Sequence, residues 1–396
     1  MNRRSAILTS SAIAAVFIGP GTVTTCAKAG AQQGMALLWA LVFSIVACLV
    51  LQEAAARVQV VSGKTLGEAL RSGRSAGPRP LAWFSAIAVI AGCAAYESGN
   101  ILGGVEGLKM TLDLPRPALA ATLALAAGLL LFFGSTRVVV TALSILVGFM
   151  ALIFLGAAIL IGPSLRELAS GFVPTIPSGA ALLALALVGT TVVPYNLFLG
   201  SALAAGHNLR DLRVGLAIAI IGGGLASAAI MVTGNDLGGG EFSLQAVSTT
   251  LGERIAPWAR QAFALGLLAA GLTSAITAPL AAALTARSVF GSPDDSARWS
   301  ARSWRFRSVW IGTLLFGTSF GVAQIKPVPA IVFAQAANGV LLPLVAIALW
   351  RLVNDRTLLG TQVNGRRTNL LTAVIVGVTC LLGGAGIWKA IVAISS

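Results

Sequence analysis

Gly19-Pro20-Gly21-Thr22 interrupts the first apolar run of the chain, between Ala14-Ala15-Val16-Phe17-Ile18 and Val23-Thr24-Thr25. Thr190-Thr191-Val192-Val193-Pro194-Tyr195-Asn196 interrupts the sixth in the same way. Proline lacks a backbone donor and its ring clashes with the preceding turn, while glycine tolerates dihedrals that no helix uses. Each run is therefore expected to unwind midway and resume as a second half-helix. One proline in a membrane helix produces a kink. Two breaks five runs apart predict two related halves, each opening on a broken helix. That is the pattern of an inverted-repeat secondary transporter, with its binding site at the bilayer midplane between the breaks. Five spans per half, an odd number, make the halves antiparallel.

Outward from the breaks, apolar runs predict eleven membrane helices near 8–30, 34–58, 81–109, 117–134, 138–162, 179–206, 213–234, 257–288, 308–324, 328–350 and 369–392. Runs of this length cross a bilayer, which takes about 20 helical residues. The expected fold is an all-α integral membrane protein forming one transporter domain over 1–396, with repeats at about 8–162 and 179–350 and an extra helix at 369–392. Of the 396 residues, 57% are hydrophobic and 10% charged, against about 25% charged in soluble domains. A soluble globular protein is excluded. The first run follows Asn2-Arg3-Arg4 as a signal peptide would, but it continues into the second without a cleavage site and is kept as a span.

The 27 Lys and Arg against 13 Asp and Glu give a net charge of +14. In a nucleic-acid binder these bases would form a patch on a polar surface; here they fall in the short gaps between apolar runs. Counted on alternate sides, nineteen lie with the N-terminus and eight opposite. The positive-inside rule then places the N-terminus in the cytoplasm and the C-terminus outside a bacterial-type plasma membrane. The Arg-rich, Trp-containing 287–307 segment reads as an inside loop near anionic lipid, so the expected partners are the bilayer and a small ion, with no nucleic acid. Cys26, Cys48, Cys93 and Cys380 have no metal or disulfide spacing and read as buried thiols. Enzymatic chemistry finds no support. The single histidine, His207, reads as a loop residue, and no catalytic residue, bound metal or cofactor is expected. Gly222-Gly223-Gly224 reads as helix packing. Gly238-Gly239-Gly240 reads as a flexible stretch of an external loop, 235–256. Oligomeric state leaves no signal.

A series of short segments, in order along nearly the whole chain, resembles the NRAMP (natural resistance-associated macrophage protein) family of divalent-metal transporters, which has the LeuT-like fold. They are Gly19-Pro20-Gly21, Ala29-Gly30-Ala31, Leu37-Leu38-Trp39, Leu51-Gln52, Ala54-Ala55-Ala56-Arg57, Val61-Ser62-Gly63-Lys64, Val188-Gly189, Pro194, Asn196-Leu197-Phe198-Leu199, Ser201-Ala202-Leu203, Gly266 to Gly271 with Thr273-Ser274, Gln335, Leu342-Pro343 and Asp355-Arg356. The resemblance implies a 5+5 inverted repeat with broken helices 1 and 6. It also implies where a metal would bind, and there the chain departs. Metal-carrying members have Asp-Pro-Gly-Asn in the first break; here the Asp and Asn positions are Gly19 and Thr22. In the second break the family has Met, Pro and His; here they are Val193, Pro194 and Tyr195. Of the family's acidic pair on span 3, implicated in proton movement, the first is Ala94 and Glu97 remains.

A desolvated dication needs anionic or several oxygen ligands, and these breaks offer mainly carbonyls, Thr22 and Asn196 or Gln335. The half-helices beginning near Thr22 and after Pro194 turn their positive ends to the same place, which favours anions. Gly19, Pro20, Gly21, Thr22, Val193, Pro194, Tyr195 and Asn196 are thus expected to bind a small anion such as bicarbonate, with small carboxylates and neutral amino acids next. The alternative is Mg²⁺ or Mn²⁺, as in the parent family. Glu97 is a candidate for a coupling proton. Thr273 and Ser274 are candidates for Na⁺, because they resemble the hydroxyl pair of LeuT-like sodium transporters; small residues that permit helix packing are the alternative. Glu53 and Glu106 lie nearer span ends.

Overall fold

The computed structural model describes residues 18–72, 79–134, 136–237, 242–291 and 297–395. Every membrane span is helical, because lipid offers no partner to a backbone amide or carbonyl and an α-helix satisfies both internally. The elements are α1 (Pro20–Gln33), α2 (Leu38–Ser62), α3 (Leu66–Ser72), α4 (Arg79–Lys109), α5 (Arg116–Phe133), α6 (Thr136–Ile161), α7 (Leu165–Gly171), α8 (Ala181–Thr191) and α9 (Pro194–Leu203). They continue as α10 (Leu209–Asn235), α11 (Leu244–Arg254), α12 (Ala259–Phe290), α13 (Trp304–Val322), α14 (Pro327–Val353), α15 (Arg356–Leu359) and α16 (Arg366–Ser395). Helices stand at all eleven expected positions. Nine segments among the described residues, α8 and α9 counted together, are long and apolar enough to cross a membrane. The segments at spans 1 and 9, α1 and α13, are not among these nine, so the count of eleven is not established. The first half of span 1 lies outside the described residues.

Close helix contact is made through glycine. A β-carbon on Gly271 of α12 would lie 2.5 Å from Cα of Gly104 on α4, and one on Gly107 would lie 2.7 Å from the Ala264 carbonyl oxygen. The third and eighth spans are thus packed backbone to backbone, as small residues allow in membranes. Gly30 and Gly234 seat α1 in the same way against α10, next to the carbonyls of Met231 and Ala27. Gly224, in the run read as packing, meets Ile45 of α2.

Three readings are corrected. Part of the 235–256 stretch, read as loop, is the helix α11, started by Ser243, whose hydroxyl accepts from the Ala246 amide at 3.1 Å; Gly238-Gly239-Gly240 and Glu241 lie outside the described residues. Arg254 closes this segment on Asp236 with two 2.7 Å bonds. Cys26, Cys48 and Cys93 are buried, but Cys380 is exposed, on the outer face of the peripheral α16. The half-helix expected from near Thr22 begins at Pro20. At the basic end, Arg307 stacks over Phe132 with its guanidinium 4.1 Å from the ring centroid, and Arg287 lies over Phe306 at 5.7 Å. His207 lies in the turn after α9.

Candidate functional site

The second break is present between α8 and α9, and the described half-helix after the first starts in the same way. Gly19 precedes α1 in an extended conformation (φ −91°, ψ 174°) and Val193 precedes α9 similarly (φ −82°, ψ 122°), each followed by proline at the first helical position. Proline suits that position because its fixed φ is helical and its missing amide would have had no partner. The first bonds run from Val23 N–H to Gly19 O at 3.1 Å and from Asn196 N–H to Val193 O at 3.0 Å. The amides of Gly21, Thr22 and Tyr195 precede them. Neither helix start has a cap from its N-cap side chain or an acid in its first turn, so the positive ends of two half-helices meet no carboxylate there. Opposite them α8 ends at Thr191, where Val192 N–H closes the last turn on Val188 O at 2.9 Å.

The side chains join the two breaks. Thr22 and Thr190 hydroxyls are 3.1 Å apart, tying the first turn of α1 to the last turn of α8. Tyr195 is fully buried and meets Tyr96 of α4 edge to face, with ring centroids 5.4 Å apart and planes at 76°. Their hydroxyls neighbour each other and that of Thr190, yet neither phenol completes a hydrogen bond of normal geometry. Asn196 Oδ1 and both amide atoms of Gln335 are buried without a partner. Gln335 of α14 packs its amide against Gly21, and a β-carbon on Gly99 of α4 would lie 3.8 Å from its Nε2.

The structure thus brings Ser274 and Gln335 to the first break and ties Thr22 to Thr190 before the second, where Val193 and Pro194 form the turn of chain and Tyr195 and Asn196 are buried. It separates the Thr273–Ser274 pair. A β-carbon on Gly19 would stand 3.2 Å from Ser274 Oγ, so Ser274 faces the first break. Thr273 instead turns its hydroxyl to the Ala269 carbonyl of its own helix. Glu97 is fully buried, packs against Gly317 of α13 and accepts one bond, from Asn100 Nδ2 at 3.1 Å; its Oε1 has no partner. It lies one residue round α4 from Tyr96 and points toward α13. Glu53 pairs with Arg213 at 2.7 Å and Arg57 at 3.4 Å, and Glu106 pairs with Arg116 at 3.0 Å, which accounts for both acids structurally.

Tyr96 was not among the residues expected at the site, and Thr190 was seen only as part of a break. One signal pointed to Tyr96: the chain has two tyrosines, and they meet here. Among the described residues no group of three or more His, Cys, Asp and Glu is placed to hold a metal ion. Two surface clefts lie at the far ends of the half-helices. One of about 510 Å³ includes Gln33 and Gly34 at the end of α1 with Glu167 and Asn235. The other, about 40 Å³, includes Phe198 and Ala202 of α9 with Glu68 and Arg287.

A helix broken between α8 and α9 and a second proline-started half-helix tied to it, inside a bundle of apolar helices, fit a multi-pass membrane transporter of the LeuT-like class. The model of natural resistance-associated macrophage protein-like (Nramp) proteins matches residues 11–389, and the chain belongs to that family. Its members are secondary transporters and not enzymes. The chain is 28% identical to the divalent metal cation transporter MntH of Mycobacterium tuberculosis (strain CDC 1551 / Oshkosh), over 93% of this chain and 88% of that protein. It is 26% identical to MntH of Klebsiella pneumoniae (strain 342), over 96% and 93%. The fold resembles that of the Eremococcus coleocola manganese transporter, solved with an aromatic bis-isothiourea substituted compound, with a TM-score of 0.72 at 18% identity over 96% of this chain and 85% of that one. It also resembles Mhp1, a nucleobase-cation-symport-1 family transporter, in a closed conformation with bromovinylhydantoin bound (TM-score 0.58, 14% identity, 97% and 92% covered).

Proposed function

We propose that this Nramp-family transporter moves a small anion, with bicarbonate the favoured substrate, by alternating access around the two breaks. The observation that carries this reading is the pairing of two helix starts without a side-chain cap with a lining that, among the described residues, holds no carboxylate, imidazole or thioether. The polar groups are neutral: backbone amides, the hydroxyls of Thr22, Tyr195 and Ser274, and the carboxamides of Asn196 and Gln335. A bare dication here would meet neutral oxygens only, against a desolvation cost of several kcal/mol per ion. An anion would meet two positive helix ends.

Accumulating an anion against a negative-inside potential costs about 2.3 kcal/mol per charge per 100 mV. A cotransported cation offsets this. Glu97, the buried acid of α4, is the proton candidate, and Ser274 with the first break is the sodium candidate; Thr273 is committed to its own helix. The distribution of basic residues supports an N-terminus inside, which a membrane-impermeant label on a cysteine introduced at Arg4 and at Gly365 would check.

The second reading, a divalent cation such as Mn²⁺ or Mg²⁺, is supported by the MntH relatives and by the carbonyl end of α8 beside the second break. Mg²⁺ retaining much of its water would demand least of these ligands. Uptake of labelled bicarbonate into proteoliposomes, run beside Mn²⁺ and Mg²⁺ flux, separates the two. Saturable bicarbonate uptake without metal flux is expected; saturable metal flux without anion uptake would sink the anion reading.

A further inference from the structure

Around the first turn of α1 the structure gathers five hydroxyls from five helices: Thr22 of α1, Tyr96 of α4, Thr190 of α8, Tyr195 of α9 and Ser274 of α12. Thr22 and Thr190 are joined at 3.1 Å. The other three face the space over Gly19 and the second break. A β-carbon at residue 19 would lie 3.2 Å from Ser274 Oγ and 3.7 Å from Tyr96 Oη. Glycine there lets both hydroxyls approach the backbone of the break. Tyr96 and Tyr195 are both 1% exposed, and neither hydroxyl completes a hydrogen bond. A buried hydroxyl without a partner is costly, so such groups in a native protein call for an explanation. Two of them on edge-to-face rings, side by side at the breaks, are explained by a ligand that supplies the missing partner.

The chemistry of the cluster selects that ligand. Phenol and serine hydroxyls spread around the break donate to separate anionic oxygens, so they match a planar oxyanion. A spherical halide uses only the donors and gains nothing from their spread. The geometry points to Tyr96 and Ser274 as the specificity-determining residues of an oxyanion subsite over Gly19, with Tyr195 completing it from the second break. This rests on the anion reading above and adds to it a residue outside both breaks, together with a reason for preferring planar oxyanions.

Tyr96→Phe removes the hydroxyl and keeps the ring against Tyr195. In the full chain, bicarbonate and formate binding by calorimetry should weaken about tenfold to a hundredfold, the loss expected for one hydrogen bond to a charged group. Chloride competition should stay within about twofold. Without ligand the variant should melt at or above the wild-type temperature, because an unsatisfied buried hydroxyl has been removed; a lower melting temperature would mean the hydroxyl serves the fold and would overturn the assignment. Ser274→Ala provides a second variant, expected to weaken the same anions to a lesser degree. Unchanged oxyanion affinity in both variants, with wild-type binding intact, overturns this subsite alone. No anion binding by the wild type overturns the anion reading and the subsite with it.

Discussion

The two breaks share a backbone design and differ in what surrounds it. At the first, glycine lies on both sides of proline and the chain is approached by side chains from elsewhere: Ser274 over Gly19 and the Gln335 amide over Gly21. At the second, Val192 and Val193 line the chain, and its own Tyr195 and Asn196 bring the polar atoms. The first break therefore presents backbone and borrows function, whereas the second supplies function from its own sequence. A site made this way is polar through neutral groups and helix ends. Changing the charge of one lining residue should then change which ion is bound.

The largest effect expected from breaking this comparison is on folding. Gly189, one turn before the second break, packs so closely on α14 that a β-carbon would run into the Gln335 carbonyl and come within 2.6 Å of the Gly339 amide. Backbone cannot swing aside, so Gly189→Ala should cost about 1–3 kcal/mol or more, seen as a lower melting temperature and poor yield. At Gly21 the obstacle is the end of the Gln335 side chain, which can rotate away. Gly21→Ala should keep the fold within about 1 kcal/mol and lose substrate affinity, measured by calorimetry, because the amide is displaced.

Next comes charge. Thr22→Asp combined with Val193→Met places a carboxylate in the first break and a thioether in the second. Mn²⁺ binding should appear and bicarbonate uptake should be lost; Mn²⁺ binding alongside unimpaired bicarbonate uptake would show that the anion uses another place. Glu97→Gln keeps the shape and the Asn100 contact while removing a titrating group. Uptake driven by an imposed pH gradient should fall to the rate seen without one, and exchange at equal pH should persist. The smallest effect is expected from Thr190→Val, which removes the 3.1 Å tie between the breaks and should lower stability by about 1 kcal/mol in a thermal melt.

The breaks were legible in the sequence because proline and glycine act locally: Pro20 and Pro194 determine where a helix can start, whatever packs around it. The spans were legible because lipid imposes length and apolarity. Tyr96 was not, since a helix apolar on most of its surface has no polar face to give away its orientation, and nothing local says that residue 96 of α4 turns to the breaks while residue 97 turns to α13. The same limit applied to Thr273 and Ser274, neighbours about 100° apart on a helix, of which one faces the site and the other its own carbonyl. The α11 helix was hidden by its polar composition. A short helix in a connecting segment has no span-length signature.

The central claim is that the space between the breaks takes an anion. Its most direct test is calorimetric titration of the purified full chain with bicarbonate and, separately, with Mn²⁺, each with the Tyr195→Phe and Asn196→Ala variants as controls. Saturable bicarbonate binding that weakens about tenfold or more in the variants, with no heat from Mn²⁺, is the predicted result. Saturable Mn²⁺ binding that depends on Asn196, with no response to bicarbonate, would contradict it.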